Sequence, residues 1–164
     1  METAAIMTLA TLPADARVWI YKSAGPINAM QAETLKREGD VFTAKWKSHG
    51  VPVRGVVELL NDHFVVVAAG SLDAHLCGGA IDASTRFIKR MENELGLKLT
   101  DRMVVLYEKD GGIASCHASQ LEALVKDGQL DGGTMVYNDL VDNKADLDSR
   151  FRIALRDTWM ARYL

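Results

Sequence analysis

The residues best placed to do chemistry sit in one run, Leu76-Cys77-Gly78-Gly79-Ala80-Ile81-Asp82-Ala83-Ser84-Thr85-Arg86-Phe87. It follows the most apolar segment of the chain and opens the clearest amphipathic helix. Free N–H groups at a helix start carry partial positive charge and favour carboxylate or phosphate. Gly78 and Gly79 let a ligand approach the backbone closely, and Asp82 and Ser84 add polar contacts. Arg102, ahead of the next strand, is grouped with these four as a ligand-binding set. The plainer alternative is that Asp82 and Ser84 cap the helix and the glycines make the turn. Asp82 would also repel an anion.

Cys77 supports a second chemistry. A helix N-terminus lowers a thiol pKa, and His75, His63 or His117 could take its proton. A small, partly buried apolar residue is the commoner fate of a lone cysteine. His75, Cys77, Cys116 and His117 also offer the donors of a tetrahedral zinc site. Their spacing matches no finger or ribbon, however, and neighbours on a strand point to opposite faces. No metal, cofactor or catalytic residue is therefore assigned.

The elements that must position these residues follow from period and punctuation. Residues 17–22 are β-branched and aromatic and read as a strand. Asn28 with Gln31 forms a capping box for a helix carrying Leu35, Phe42 and Trp46 on one face, closed by Gly50 and Pro52. Gly39 inside that helix costs about 1 kcal/mol against Ala and suggests a close helix–sheet approach. Residues 53–60 and 64–69 read as a hairpin about Asn61-Asp62-His63. The second of these has no polar alternation and is placed centrally. A helix over about 80–95 ends at Gly96. Strands at 103–107 and 113–116 flank Asp110-Gly111-Gly112. Ser119 and Glu122 cap a short helix, and a strand covers 134–137.

The order strand, helix, strand, strand, helix, strand implies an α+β fold. It would have an antiparallel sheet with helices on one face, a ferredoxin-like (βαββαβ) core and a C-terminal extension. Residues 1–14 are expected to form a loose arm, with one domain over 15–164 and a partly helical tail over 139–164. Trp19 and Trp46 are expected in the core, and Trp159 either docks the tail or faces a ligand or partner.

Bulk properties narrow the class. The 164 residues carry 19 basic and 22 acidic side chains, a net charge of −3. That balance argues against a dedicated nucleic-acid binder. No apolar run reaches membrane-span length, and the first residues lack a basic leader. Two cysteines point to a reducing, cytoplasmic setting.

The segments Arg17-Val18-Trp19-Ile20-Tyr21, Gly78 through Ser84, Phe87-Ile88-Lys89, Asp101-Arg102 and Leu155-Arg156-Asp157-Thr158-Trp159 resemble an uncharacterised family of small bacterial proteins. That family is often labelled ABC transporter ATPase although it lacks Walker motifs. The resemblance spans Leu12 to Trp159 and implies no known chemistry. Family members resemble Gly-Cys-Ser-Ile-Asp-Ser-Ser where this chain has Gly78-Gly79-Ala80-Ile81-Asp82-Ala83-Ser84, so the family's cysteine falls on Gly79. A P-loop requires Gly-Lys before a hydroxyl residue. This chain has no Gly-Lys pair, so P-loop ATPase chemistry is excluded.

The sequence is thus read as a non-catalytic cytoplasmic binding or adaptor protein for a small molecule or protein partner. Its site would be polar and lie near Gly78–Asp82. The alternative is a small hydrolase or transferase using Asp82 or Cys77 with a nearby histidine. A homodimer that buries Trp159 is a third reading. Neither nucleic acid nor a membrane is expected as a partner.

Overall fold

The computed structural model describes residues 7–70 and 76–164. In chain order the elements are β1 (Arg17–Lys22), α1 (Ala29–Lys45), β2 (Lys47–Ser48), β3 (Val51–Pro52), β4 (Arg54–Leu60), β5 (Phe64–Gly70) and α2 (Gly78–Leu95). They continue with β6 (Val104–Lys109), β7 (Gly112–His117), α3 (Leu121–Lys126), β8 (Met135–Tyr137), α4 (Lys144–Arg150) and β9 (Arg152–Ala154). Short 3-10 turns precede β1 and α3 and close the chain.

The strands form two larger antiparallel sheets, ordered β1-β5-β4 and β7-β6-β8-β9, and a small β2-β3 hairpin. All of β5 is buried, as its unbroken apolar run requires. Phe64, Val66 and Ala68 point into one core cluster, and Val65, Val67 and Ala69 into another. Each buried Val or Phe here contributes about 1.5–3 kcal/mol.

The second cluster lies under α1 and α2, with Leu35, Trp46, Phe87, Ile88 and Met91. The first lies between the two sheets, where Leu106 and Phe151 meet Val56 and Val66. An aromatic trio joins the sheets there, with ring centroids 5.1 Å (Phe64–Tyr137), 4.9 Å (Phe64–Phe151) and 5.3 Å (Tyr137–Phe151) apart. Beyond the second sheet, Leu121 of α3 and the terminal Leu155 and Met160 cover Val105, Tyr107 and Val136. The layers therefore run helices, sheet, sheet, then α3 with the terminal turns.

The α+β class and the antiparallel sheets agree with the sequence, and α1 and α2 share one face of the first sheet. The ferredoxin-like order is not confirmed. Such an order would set β6 beside β1, but β6 pairs with β7 and β8. The flank of β1 is taken instead by Val18 N–H donating to Asp142 and Lys22 N–H donating to Leu99. The strands after α2 form a second sheet instead of completing the first and extending it. Within the arm expected to be loose, Leu9 and Leu12 are only 7% and 3% exposed and belong to the middle core. Two leucines in an otherwise small-residue segment were enough to seat it against the sheet. Residues 1–6 lie outside the described residues.

Local chemistry explains the first helical layer. Asn28 and Gln31 make the capping box of α1. Gly39 stands where a Cβ would come within 2.7 Å of the Val57 Cβ, so the helix rests directly on β4. The helix stops at Lys45, ahead of Gly50 and Pro52, because the chain turns into β2. Trp46 becomes its C-terminal cap residue, 3% exposed, and a Cβ on Gly55 would approach its ring to 2.5 Å. The cap expected from Ser119 moves upstream: His117 and Gln120 cap a 3-10 turn over Ala118–Gln120, and α3 follows it.

Candidate functional site

The helix α2 begins two residues earlier than its periodicity suggests. Cys77 is its cap position, with extended backbone, and Gly78 and Gly79 are its first residues. Both glycines are exposed. Asp82 is exposed in the second turn rather than at the cap. Ser84 is 1% exposed, and its hydroxyl donates to the Ile81 carbonyl at 2.7 Å. Ser84 thus faces the core with its donor already used.

Arg102 is exposed but belongs to the other end of α2. Leu99 N–H donates to Glu92, roughly four turns and about 20 Å along the helix from Gly78. Gly78, Gly79 and Asp82 therefore share one surface, with Ser84 beneath it and Arg102 at the far end.

Cys77 has a distinct environment. Its N–H donates to the Ser48 hydroxyl oxygen at 3.0 Å. The Ser48 hydroxyl, then the Ala80 and His49 backbone N–H groups, hold its thiol below the ordinary thiol value, against a smaller opposing effect of burial. Burial pushes the Cys116 thiol up. The two cysteines are free and lie in different layers, Cys77 by the helical core and Cys116 by the cluster beyond the second sheet.

His63 is 7% exposed and its Nδ1 lies 3.0 Å from the Ser23 carbonyl. It stands next to the Leu60–Phe64 pair, whereas Trp46 packs on Gly55 at the opposite end of the hairpin. Five strand residues separate those ends by about 17 Å. His117 closes β7, with Nδ1 2.7 Å from the Ser119 hydroxyl. His75 lies outside the described residues.

One turn further along α2 lies a feature that no motif in the sequence marks. The end of α1 and the first half of α2 border an open groove of about 520 Å³. Its apolar wall is Val41, Phe42, Trp46, Ala83 and Phe87. Phe42 stacks on Phe87 at 4.9 Å and packs on Trp46 at 5.0 Å. Trp46 Nε1–H donates to the Ala80 carbonyl at 2.9 Å and ties the two helices together at this point.

The rim is basic: Lys45, Lys47, Arg86 and Arg90. Arg90 pairs with Glu38 and Glu94 at 3.4 and 3.6 Å. Among the described residues, Lys45, Lys47 and Arg86 make no ion pair. Gly79 and Asp82 sit one turn before Ala83 and Arg86 on the same faces of α2, so the expected site adjoins the groove mouth. The signal available in the sequence was the pairing of Phe42 and Trp46 with Lys45 and Lys47. Their meaning depends on α2 lying alongside, which spacing within α1 does not reveal.

No helix among the described residues is long and apolar enough to cross a membrane. Comparison with known proteins finds no matching family model, no matching curated protein and no matching solved structure.

Proposed function

We propose that this protein is a non-catalytic binding or adaptor protein that takes an amphiphilic anion in the groove between α1 and α2. The apolar part would lie along Phe42 and Ala83, and the acidic group would meet Lys45, Lys47 and Arg86. The observation that carries this reading is the aromatic-walled groove with unpaired cations on its rim, in a chain whose net charge is −3. A concave apolar surface with a few convergent polar groups is the usual form of a ligand site. Two unpaired cysteines in separate layers support a reducing, cytoplasmic setting. The family resemblance remains a proposal supported by the segments quoted above.

Anilinonaphthalene sulfonate is a suitable probe, because it combines an aromatic body with one negative charge. Saturable binding is expected, weakened at least about tenfold, or 1.4 kcal/mol, by Lys45→Glu with Arg86→Glu. The uncharged phenylnaphthylamine should bind more weakly than the sulfonate. Equal binding of the sulfonate to the parent and the charge-reversed protein sinks the reading.

A second reading, a small hydrolase or transferase using Cys77, is supported by the Ser48 and backbone donors around its thiol. It requires Cys77 to alkylate with iodoacetamide well ahead of Cys116 at pH 7, and to slow on Ser48→Ala. Equal rates at the two cysteines count against it.

A further inference from the structure

We propose that β7 is a self-association edge. Two copies of this chain would pair their β7 strands antiparallel about a twofold axis beside Ala114. Two four-stranded sheets would thereby join into one. The inference is independent of the groove.

Exposed strand edges template pairing, and folded proteins cover, charge or shorten them. Of the four edges of the two larger sheets, three are managed in these ways. The outer edge of β1 is covered by Asp142 and Leu99, whose carbonyls accept from Val18 and Lys22 N–H. The outer edge of β4 belongs to a strand carrying Arg54 and Glu58, and Leu9 N–H donates to the Glu58 carboxylate at 3.2 Å. The strand β9 has three residues, one of them Arg152. In contrast, β7 is six residues long, Gly-Ile-Ala-Ser-Cys-His, with no Pro, Lys, Arg, Asp or Glu.

The register shows which groups are open. Ala118 N–H donates to Met103 at 2.7 Å, continuing the β6–β7 ladder. Alternation then assigns Ala114 and Cys116 to bonding β6, and turns the N–H and C=O of Ile113 and Ser115 outward. Among the described residues those four groups have no hydrogen-bond partner. The next outward donor, His117 N–H, is taken by Gln120 Oε1 at 2.8 Å.

A second copy fits this pattern. Pairing centred on Ala114 matches Ile113 with Ser115 of the second copy, twice by symmetry, and uses all four open groups. It sets small Ala114 opposite itself and opposes no like charges. At each end it places exposed Asp110 of one copy near exposed His117 of the other, so Asp110 meets no second carboxylate. Centring on Ser115 instead would need the His117 N–H that Gln120 already holds. A twofold interface of this kind is self-complementary by construction.

Sedimentation equilibrium of the full chain, from micromolar to near-millimolar concentration, tests the proposal. A reversible monomer–dimer equilibrium is expected. Ser115→Pro removes an outward N–H and leaves the β6 ladder intact, and Ser115→Lys adds a repelling edge charge. Each should weaken dimerisation at least about tenfold without lowering the Tm of the monomer in dilute solution. With Cys77→Ser and Cys116→Ser in place, Ala114→Cys should oxidise to a disulfide-linked dimer, which reports the register. A parent chain that stays monomeric throughout overturns the proposal. So does a dimer that survives both Ser115 substitutions, or one that gives no crosslink at position 114.

Discussion

Two open clefts of similar size among the described residues treat charge in opposite ways. The groove between α1 and α2, about 520 Å³, is rimmed by Lys45, Lys47 and Arg86, which the described residues leave unpaired. The second cleft, about 410 Å³, lies beside the β6–β7 turn and holds Glu108, Asp110 and Asp131 with one cation, Lys109. There the fold consumes much of the charge. Arg152 grips Glu108 through two hydrogen bonds, and the Tyr137 hydroxyl donates to the same carboxylate. Asp131 accepts from Gly133 N–H at 2.8 Å and from the Thr134 hydroxyl at 3.4 Å, shaping its own turn. A charged lining indicates a binding site only when its charges are not already engaged within the fold. By that criterion the basic groove is a candidate site, whereas Glu108 and Asp131 belong to the scaffolding.

The largest effect that could break this contrast is Trp46→Ala. It removes a nearly buried ring from the groove wall together with its bond to Ala80. The expected cost is about 3–5 kcal/mol of stability in urea denaturation, and probe binding should be lost with it. Probe binding that survived intact would mean that the groove is not where the anion sits.

Next comes Asp131→Ala, which deletes the turn bonds in the acidic cleft. A loss of about 1 kcal/mol is expected, with anilinonaphthalene sulfonate affinity unchanged. A clear change in affinity would show that the two clefts communicate or that the probe was assigned to the wrong one.

The smallest effect concerns pH. The Arg152 hydrogen bond holds the Glu108 carboxyl below the ordinary carboxylate range. A depressed folded value adds stability above the unfolded carboxylate pKa of about 4.3, and that stability is lost as pH falls through the lower folded value. Arg152 is exposed and Glu108 half-buried, 54% and 33%, so solvent screening keeps the contribution at neutral pH small. The stability difference between the parent and Glu108→Gln, measured by denaturation at pH 7 and again near pH 3, should shrink at acid pH. A constant difference would show that the ion pair contributes nothing.

Much of the first half of the fold was legible in the chain. The Asn28–Gln31 box, the hairpin about Asn61-Asp62-His63 and the doubly covered β5 all depend on local chemistry or on a two-residue period. Gly39 was legible too, because a glycine inside a helix needs a reason and Val57 supplies it. The candidate site was only half legible. Gly78, Gly79 and Asp82 do share a surface, but Ser84 turns inward to Ile81 and Arg102 follows the far end of α2. Helical period places residues on a face without saying which face the core will claim.

The sequence alone therefore determined the type of β1, α1, β4, β5, α2, β6, β7, α3 and β8, because propensity, caps and apolar period act within a few residues. Tertiary structure alone decided what the stretch around Cys77 adjoins. The groove exists because Trp46 reaches across to Ala80 and Phe42 stacks on Phe87, contacts between segments more than thirty residues apart. It also decided that β6 would found a second sheet instead of completing the first. The flank of β1 is shared between Leu99 and Asp142, and no local pattern in either strand records that competition.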